Sequence, residues 1–173
     1  MAIKGAEYAV TRIVATLQLY LPTELDLIDA EMADTITLAD VDNAAYYEYE
    51  NPSAEMEHVL YINVNADDSE ALITDTITNS PGRMVDEHSV AVSVTLKDSG
   101  NENPTLTKRR VMRYARAICR VLTVKYPTLT ETVTRVHRIG ANPMTYRLNP
   151  EQGEGQFILS AVVPLKVVTH ESL

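Results

Sequence analysis

The chain has a single cysteine, Cys119, among its 173 residues. That excludes an intrachain disulfide framework and points to a reducing compartment. No apolar run approaches the roughly 20 residues that cross a bilayer, and the first residues lack the apolar core of a signal peptide, so neither a membrane anchor nor secretion is expected. Repeats and low-complexity segments are missing too. The 45% hydrophobic and 23% charged shares exclude a disordered chain. The length suits one domain, residues 1–173, with one ordinary core.

The motifs of catalysis and ligation are equally scarce. His58, His88, His137 and His170 are isolated from one another and from Cys119, with no HExxH spacing to set two imidazoles on one helix face. There is no GxSxG elbow and no local Ser/His/Asp grouping. Gly153-Glu154-Gly155 lacks the GK[ST] ending of a phosphate loop and precedes a strand pattern, so it reads as a turn. Asp67-Asp68 and Asp86-Glu87 lack the regular spacing and turn glycine of an EF-hand loop and read as solvated acidic segments. Cys119 falls beside an apolar helix stripe and reads as a packed thiol. No catalytic residue, metal or cofactor is expected.

What the chain does have is a divided charge. Its net charge of −9 hides two opposed halves. Residues 1–104 carry 20 acidic and 4 basic groups, whereas residues 105–173 carry 4 acidic and 11 basic groups. Two readings follow: the basic half folds back onto the acidic half within one core, or the asymmetry serves a charged partner or self-association.

The periodicity gives the elements. Apolar residues from Ile3 through Val10, Ile13, Val14 and Leu17 to Leu21 recur at helical spacing. Pro22 is expected to stop this helix, and Thr23 with Asp26 to open a second over about 24–33 that buries Leu25, Ile28 and Met32. Residues 34–57 are acidic and carry Tyr46, Tyr47 and Tyr49, without a defined period. A period of two begins at His58, with Leu60, Ile62 and Val64 on one face, and returns at Val90, Val92, Val94 and Leu96. The polar segment between, residues 65–86, holds Asp67, Asp68, Glu70, Asp75 and Asp86, with Glu87 just beyond. It reads as a hairpin arm or an ordered functional loop.

Asn103 and Pro104 cap a helix whose buried stripe is Val111, Tyr114, Ala115, Ile118 and Leu122. Pro127 ends it. Two strands follow, over about 131–139 and 156–169, separated by a loop marked by Asn142-Pro143 and Asn149-Pro150. Pro164 cannot donate a ladder bond, so the last strand is expected at an edge or a bulge. The fold class is α+β: a mainly antiparallel sheet of about four strands, helices on one face, and a long loop or arm between the first two strands.

Arg109, Arg113, Arg116 and Arg120 follow spacings of four, three and four and form one stripe on this helix. A solvated face, a subunit interface seeking carboxylates, and a phosphate-tracking surface are the three readings. The acidic whole, with a pI near 4.9, opposes long-range approach of nucleic acid, and no aromatic residues interleave with the stripe. Acidic and basic flanks on opposite sides would instead make a head-to-tail interface between copies, with Asp67, Asp68, Glu70, Asp75, Asp86 and Glu87 as the acidic counterpart or as a channel lining.

The opening helix, the strands around HVLYINV and SVAVSVTL, the helix RRVMRYARAICRVL and the closing strand GQFILSAVVPLKVV resemble the tail terminator proteins of long-tailed bacteriophages. The resemblance covers most of the chain from about residue 58 onward, plus the first helix. It rests on size, element order and the Tyr/Arg/Ala-rich helix. It implies an α+β subunit without a catalytic site, assembled as a hexameric ring on the tail tube in the virion neck after assembly in the host cytoplasm. Its implied partners are further copies of itself, the tail tube protein and head connector or neck proteins. DNA would pass through the channel without sequence-specific binding. Under this resemblance the arginine stripe is expected to face protein, and acidic residues to line the passage. Another neck or head-closure component, and a nucleic-acid-binding module using the basic helix, are the alternatives.

Overall fold

The computed structural model describes residues 6–49, 57–66, 83–98, 104–126, 133–138, 145–150 and 157–172. The first element is one helix, α1, Ala6–Met32, with Pro22 inside it. The expected break at Pro22 and the separate second helix are thus corrected. An interior proline costs a helix about 3 kcal/mol. Leu17 and Leu21 before it and Leu25 and Ile28 after it are all fully buried on one stripe. Each such side chain gains about 1.5–3 kcal/mol by burial, so a continuous stripe outweighs the lost hydrogen bond. Met32, expected inside, is exposed. Ala33 ends the helix at φ 47°, donating its N–H to the Asp29 carbonyl at 3.0 Å. That left-handed turn is one that usually takes glycine.

Residues 34–45 form an extended strap that returns along α1. Ile36, Leu38, Val41 and Ala45 are buried. The Leu38 N–H donates to Asp29 Oδ2 at 2.7 Å, and the Tyr114 hydroxyl donates to the Ala39 carbonyl at 2.7 Å. Asp42 caps a short 3-10 turn, Asn43–Ala45, by accepting from the Ala44 N–H. The turn leads into β1, Tyr46–Glu48, so the acidic segment without a period contains a strand.

The other strands are β2, Leu60–Ala66; β3, Arg83–Asp98; β4, Val133–Arg138; β5, Thr145–Pro150; and β6, Phe157–Ser172. The second helix, α2, is Pro104–Arg120, closed by a π turn, Val121–Lys125. Among the described residues, six strands form one sheet in the order β1-β2-β3-β6-β4, with β5 also on β6, and of their pairings only that of β1 with β2 is parallel. The class is α+β as expected. The two strands beyond the expected set, β1 and β5, come from segments read as undefined and as loop. Asn149-Pro150, which reads as loop punctuation, closes β5 opposite Ile158 and Phe157.

Register explains the core. Ile62, Val94 and Ala161 lie side by side, as do Val64, Val92 and Val163, and Ala66, Val90 and Leu165. All nine are buried and join the buried stripes of α1 and α2 in one cluster. The opposite face mixes polar residues with the buried Tyr61 and Ile158, and Thr95 and Ser160 share a hydrogen bond of 2.8 Å there.

The closing strand corrects another expectation. It is not an edge. β3 pairs along one side of β6, while β5 and β4 lie end to end along the other, opposite 157–162 and 165–169. Pro164 falls in the gap between them, where that flank forms no ladder, so its missing N–H is tolerated. The connection between β2 and β3 shortens to residues 67–82, which lie outside the described residues along with Asp67, Asp68, Glu70 and Asp75. Asp86 and Glu87 fall within β3, in register with Thr169 and Val168. The expected Asn103 cap, Pro127 stop and Gly153-Glu154-Gly155 turn also lie outside.

Candidate functional site

The densest charge in the described residues is the seam between α1 and α2. The helices run antiparallel there: Glu24 meets the end of α2, and Asp34, just past α1, meets its middle. Four cations and four carboxylates alternate along the seam.

Arg113 is the anchor. It is 7% exposed, and its guanidinium forks onto both oxygens of Asp34. It also donates to the Ile36 carbonyl at 3.1 Å and lies 3.9 Å from Asp29 Oδ1. Arg120 joins two turns of α1, with Nε 2.8 Å from Glu24 Oε1 and Nη1 2.8 Å from Glu31 Oε1. Arg116 is half-exposed and 3.6 Å from Glu31 Oε2. The π turn completes the seam. It carries Lys125 to within 2.5 Å of Glu24 Oε2 and sets Tyr126 on Tyr20, ring centroids 3.7 Å apart. Tyr20 and Glu24 are one helical turn apart, so the wider turn grips α1 at two adjacent points. Glu24 is 1% exposed, and its charge is held between Arg120 and Lys125.

The four stripe arginines therefore divide. Arg113, Arg116 and Arg120 meet carboxylates of their own chain. Arg109 is exposed and adds to the field that favours ionised Asp34. The folded-back reading of the charge asymmetry accounts for three of the four. Their partners Glu24, Glu31 and Asp34 were not singled out from sequence. The signal was the matching period, since Glu24 and Glu31 are seven apart, as are Arg113 and Arg120. The assumed break at Pro22 concealed it.

The seam is chemically a clamp. The hydrogen bond from Arg113, then the Ile36 N–H, holds the Asp34 carboxyl below its ordinary range. The hydrogen bond from Arg120 does the same for Glu31. Both carboxyls bind protons less readily in the folded chain than in the unfolded one. Their contribution is complete above the ordinary values of 3.8 and 4.5 and is lost as pH falls from there through the lowered folded values. Acid titration at low salt, followed by circular dichroism, should show stability declining once pH drops below about 4.5. An Arg120→Gln chain should show a smaller decline; an unchanged one would remove the Glu31 link.

Burial, above all, pushes the Tyr114 hydroxyl up to about 12 and raises Tyr46 further. Both are core groups. Cys119 is a buried free thiol, its Sγ 3.6 Å from Thr123 Oγ1. Among the described residues, no three His, Cys, Asp or Glu side chains gather where a metal could bind, and no helix is long and apolar enough to cross a membrane. No protein-family model matches the sequence, and no curated protein matches it.

Proposed function

We propose that this chain is a structural virion subunit. It forms a ring, hexameric by the resemblance, at the head-proximal end of a phage tail, where it ends tail-tube polymerisation and joins the tail to the head connector. The fold supports this reading, because the resemblance implies an α+β subunit and the chain folds as one. The observation that carries it against a nucleic-acid module is the internal pairing of Arg113, Arg116 and Arg120. A phosphate-tracking stripe needs those guanidinia in the solvent; here they hold α1. DNA then passes the ring without being gripped, and Asp67, Asp68, Glu70, Asp75, Asp86 and Glu87 are the groups this reading assigns to the passage, where they repel phosphates.

Addition of the purified chain to polymerising cognate tube protein tests the proposal, with tube lengths measured by negative-stain electron microscopy. Short tubes with a ring at one end are expected. Rings that seat on the connector and leave the tube uncapped would favour a different neck component. Uncapped tubes, together with DNA binding that weakens steeply with salt, would overturn the structural reading in favour of the nucleic-acid module.

A further inference from the structure

The strap over 34–45 and the short strand β1 that follows it are tied to the fold mainly by side chains. Among the described residues, no main-chain group of 34–44 bonds to the main chain of α1, α2 or a strand. Arg113 donates to the Ile36 carbonyl, and Asp29 accepts from the Leu38 N–H. Tyr114 donates to the Ala39 carbonyl, and Gln18 to the Asn43 carbonyl at 3.1 Å. β1 adds three residues of ladder to β2 at an edge of the sheet, so its departure breaks no other strand pairing.

The seated segment is strained at both ends. Among the described residues, Ala33 at φ 47° and Tyr49 at φ 69° are the only non-glycine residues with positive φ, and they bracket residues 34–48. A Cβ makes that backbone region unfavourable. A further cost lies inside the segment. The Tyr46 hydroxyl is buried without a hydrogen-bond partner, close enough to Asp40 and Tyr114 to feel their fields. Water would satisfy it, and a buried polar group left unpaired is destabilising.

We infer that residues 34–48 form a latch that leaves α1, α2 and β2 as one unit while the helices and the other strands stay folded. Ala33 and Tyr49 are its hinges, and the fork of Arg113 on Asp34 is its catch. Release carries the Tyr46 hydroxyl into water and uncovers that of Tyr114. It also presents Ile36, Leu38 and Val41, which are buried in the seated strap, as an extended apolar row. The helices keep their grip meanwhile, because Arg120 and Lys125 bind Glu24 and Glu31 without the strap. A segment with few main-chain bonds and strained ends belongs to the low end of local stability.

Native-state hydrogen exchange of the full chain, followed by NMR across low guanidinium chloride concentrations, tests the latch. The Leu38 N–H, bonded to Asp29, and the Tyr49 N–H, bonded to the Val64 carbonyl, report its two ends. Both should exchange at least about tenfold faster than the amides of α2 and β3, through one shared opening that depends only weakly on denaturant. Tyr114→Phe, which removes the bond to Ala39, should speed that opening about three- to tenfold. Ala33→Gly, which relieves a hinge, should slow it about two- to fivefold. Leu38 and Tyr49 amides that follow the steep denaturant dependence of α2 and β3, that exchange at unrelated rates, or that keep the wild-type rate in both variants would each overturn the inference.

Discussion

Replacing Arg113 with alanine is expected to lower the stability of the fold by about 2–4 kcal/mol, the range for removing one partner of a buried charge network. For a chain of this size that is a fall in melting temperature of roughly 5–15 °C. The cost arises because the guanidinium has no substitute. It serves Asp34, Ile36 and Asp29 from one buried position, and its loss takes this donor from the Ile36 carbonyl and leaves Asp34 and Asp29 with the backbone N–H groups of Ile36 and Leu38 but no cation between them. Arg113→Lys should recover little, because one ammonium cannot reproduce a planar fork on two carboxylate oxygens together with a backbone carbonyl. Arg109→Ala, one turn earlier on the exposed side, should change stability by no more than about 0.5 kcal/mol. Thermal unfolding of the three variants decides the point. Equal effects at positions 109 and 113 would mean that the seam does not anchor the helices.

The second large effect has the opposite sign. Pro22→Ala should stabilise the chain by about 2 kcal/mol: roughly 3 kcal/mol from restoring an interior helix position, less up to about 1 kcal/mol for the greater freedom of the unfolded chain. Melting should rise by about 4–8 °C. The prediction depends on α1 running unbroken from Ala6 to Met32. Had the helix ended at Pro22, the proline would sit at a favourable boundary, and alanine there would be neutral or harmful. A variant that melts no higher than the wild type would therefore break α1 in two.

These two positions show where sequence reasoning succeeded and where it failed. The strands around Ile62 and Val92 and the buried stripe of α2 were legible because alternation and helical spacing report directly which side chains leave water. The prolines misled. The local cost of Pro22 argues for a break, while its place in a buried stripe depends on a sheet that no local window contains. Pro164 reads as an edge or a bulge, although β6 is an interior strand, because the gap between β4 and β5 is a property of pairing across the sheet. β1 was hidden for a related reason: three residues, Tyr46–Glu48, are too few to display a period.

The candidate site was half legible. The arginine stripe of α2 stands out from its spacing, but its carboxylate partners lie 79 to 96 residues away along the chain, a distance no periodicity spans. The charge division itself was plain from the start. What the fold adds is that part of it is consumed at the α1–α2 seam.

Sedimentation velocity of the wild-type chain, from about 0.05 M to about 1 M salt, tests the proposed ring most directly, because screening acts on exposed charges far more than on the partly buried seam. The expected result is one closed oligomer at low salt that dissociates as salt rises, while circular dichroism shows the subunits still folded. Association that is indifferent to salt or strengthened by it would contradict assembly through opposed charges. So would a chain that unfolds as it dissociates, because the seam would then not hold the subunit by itself.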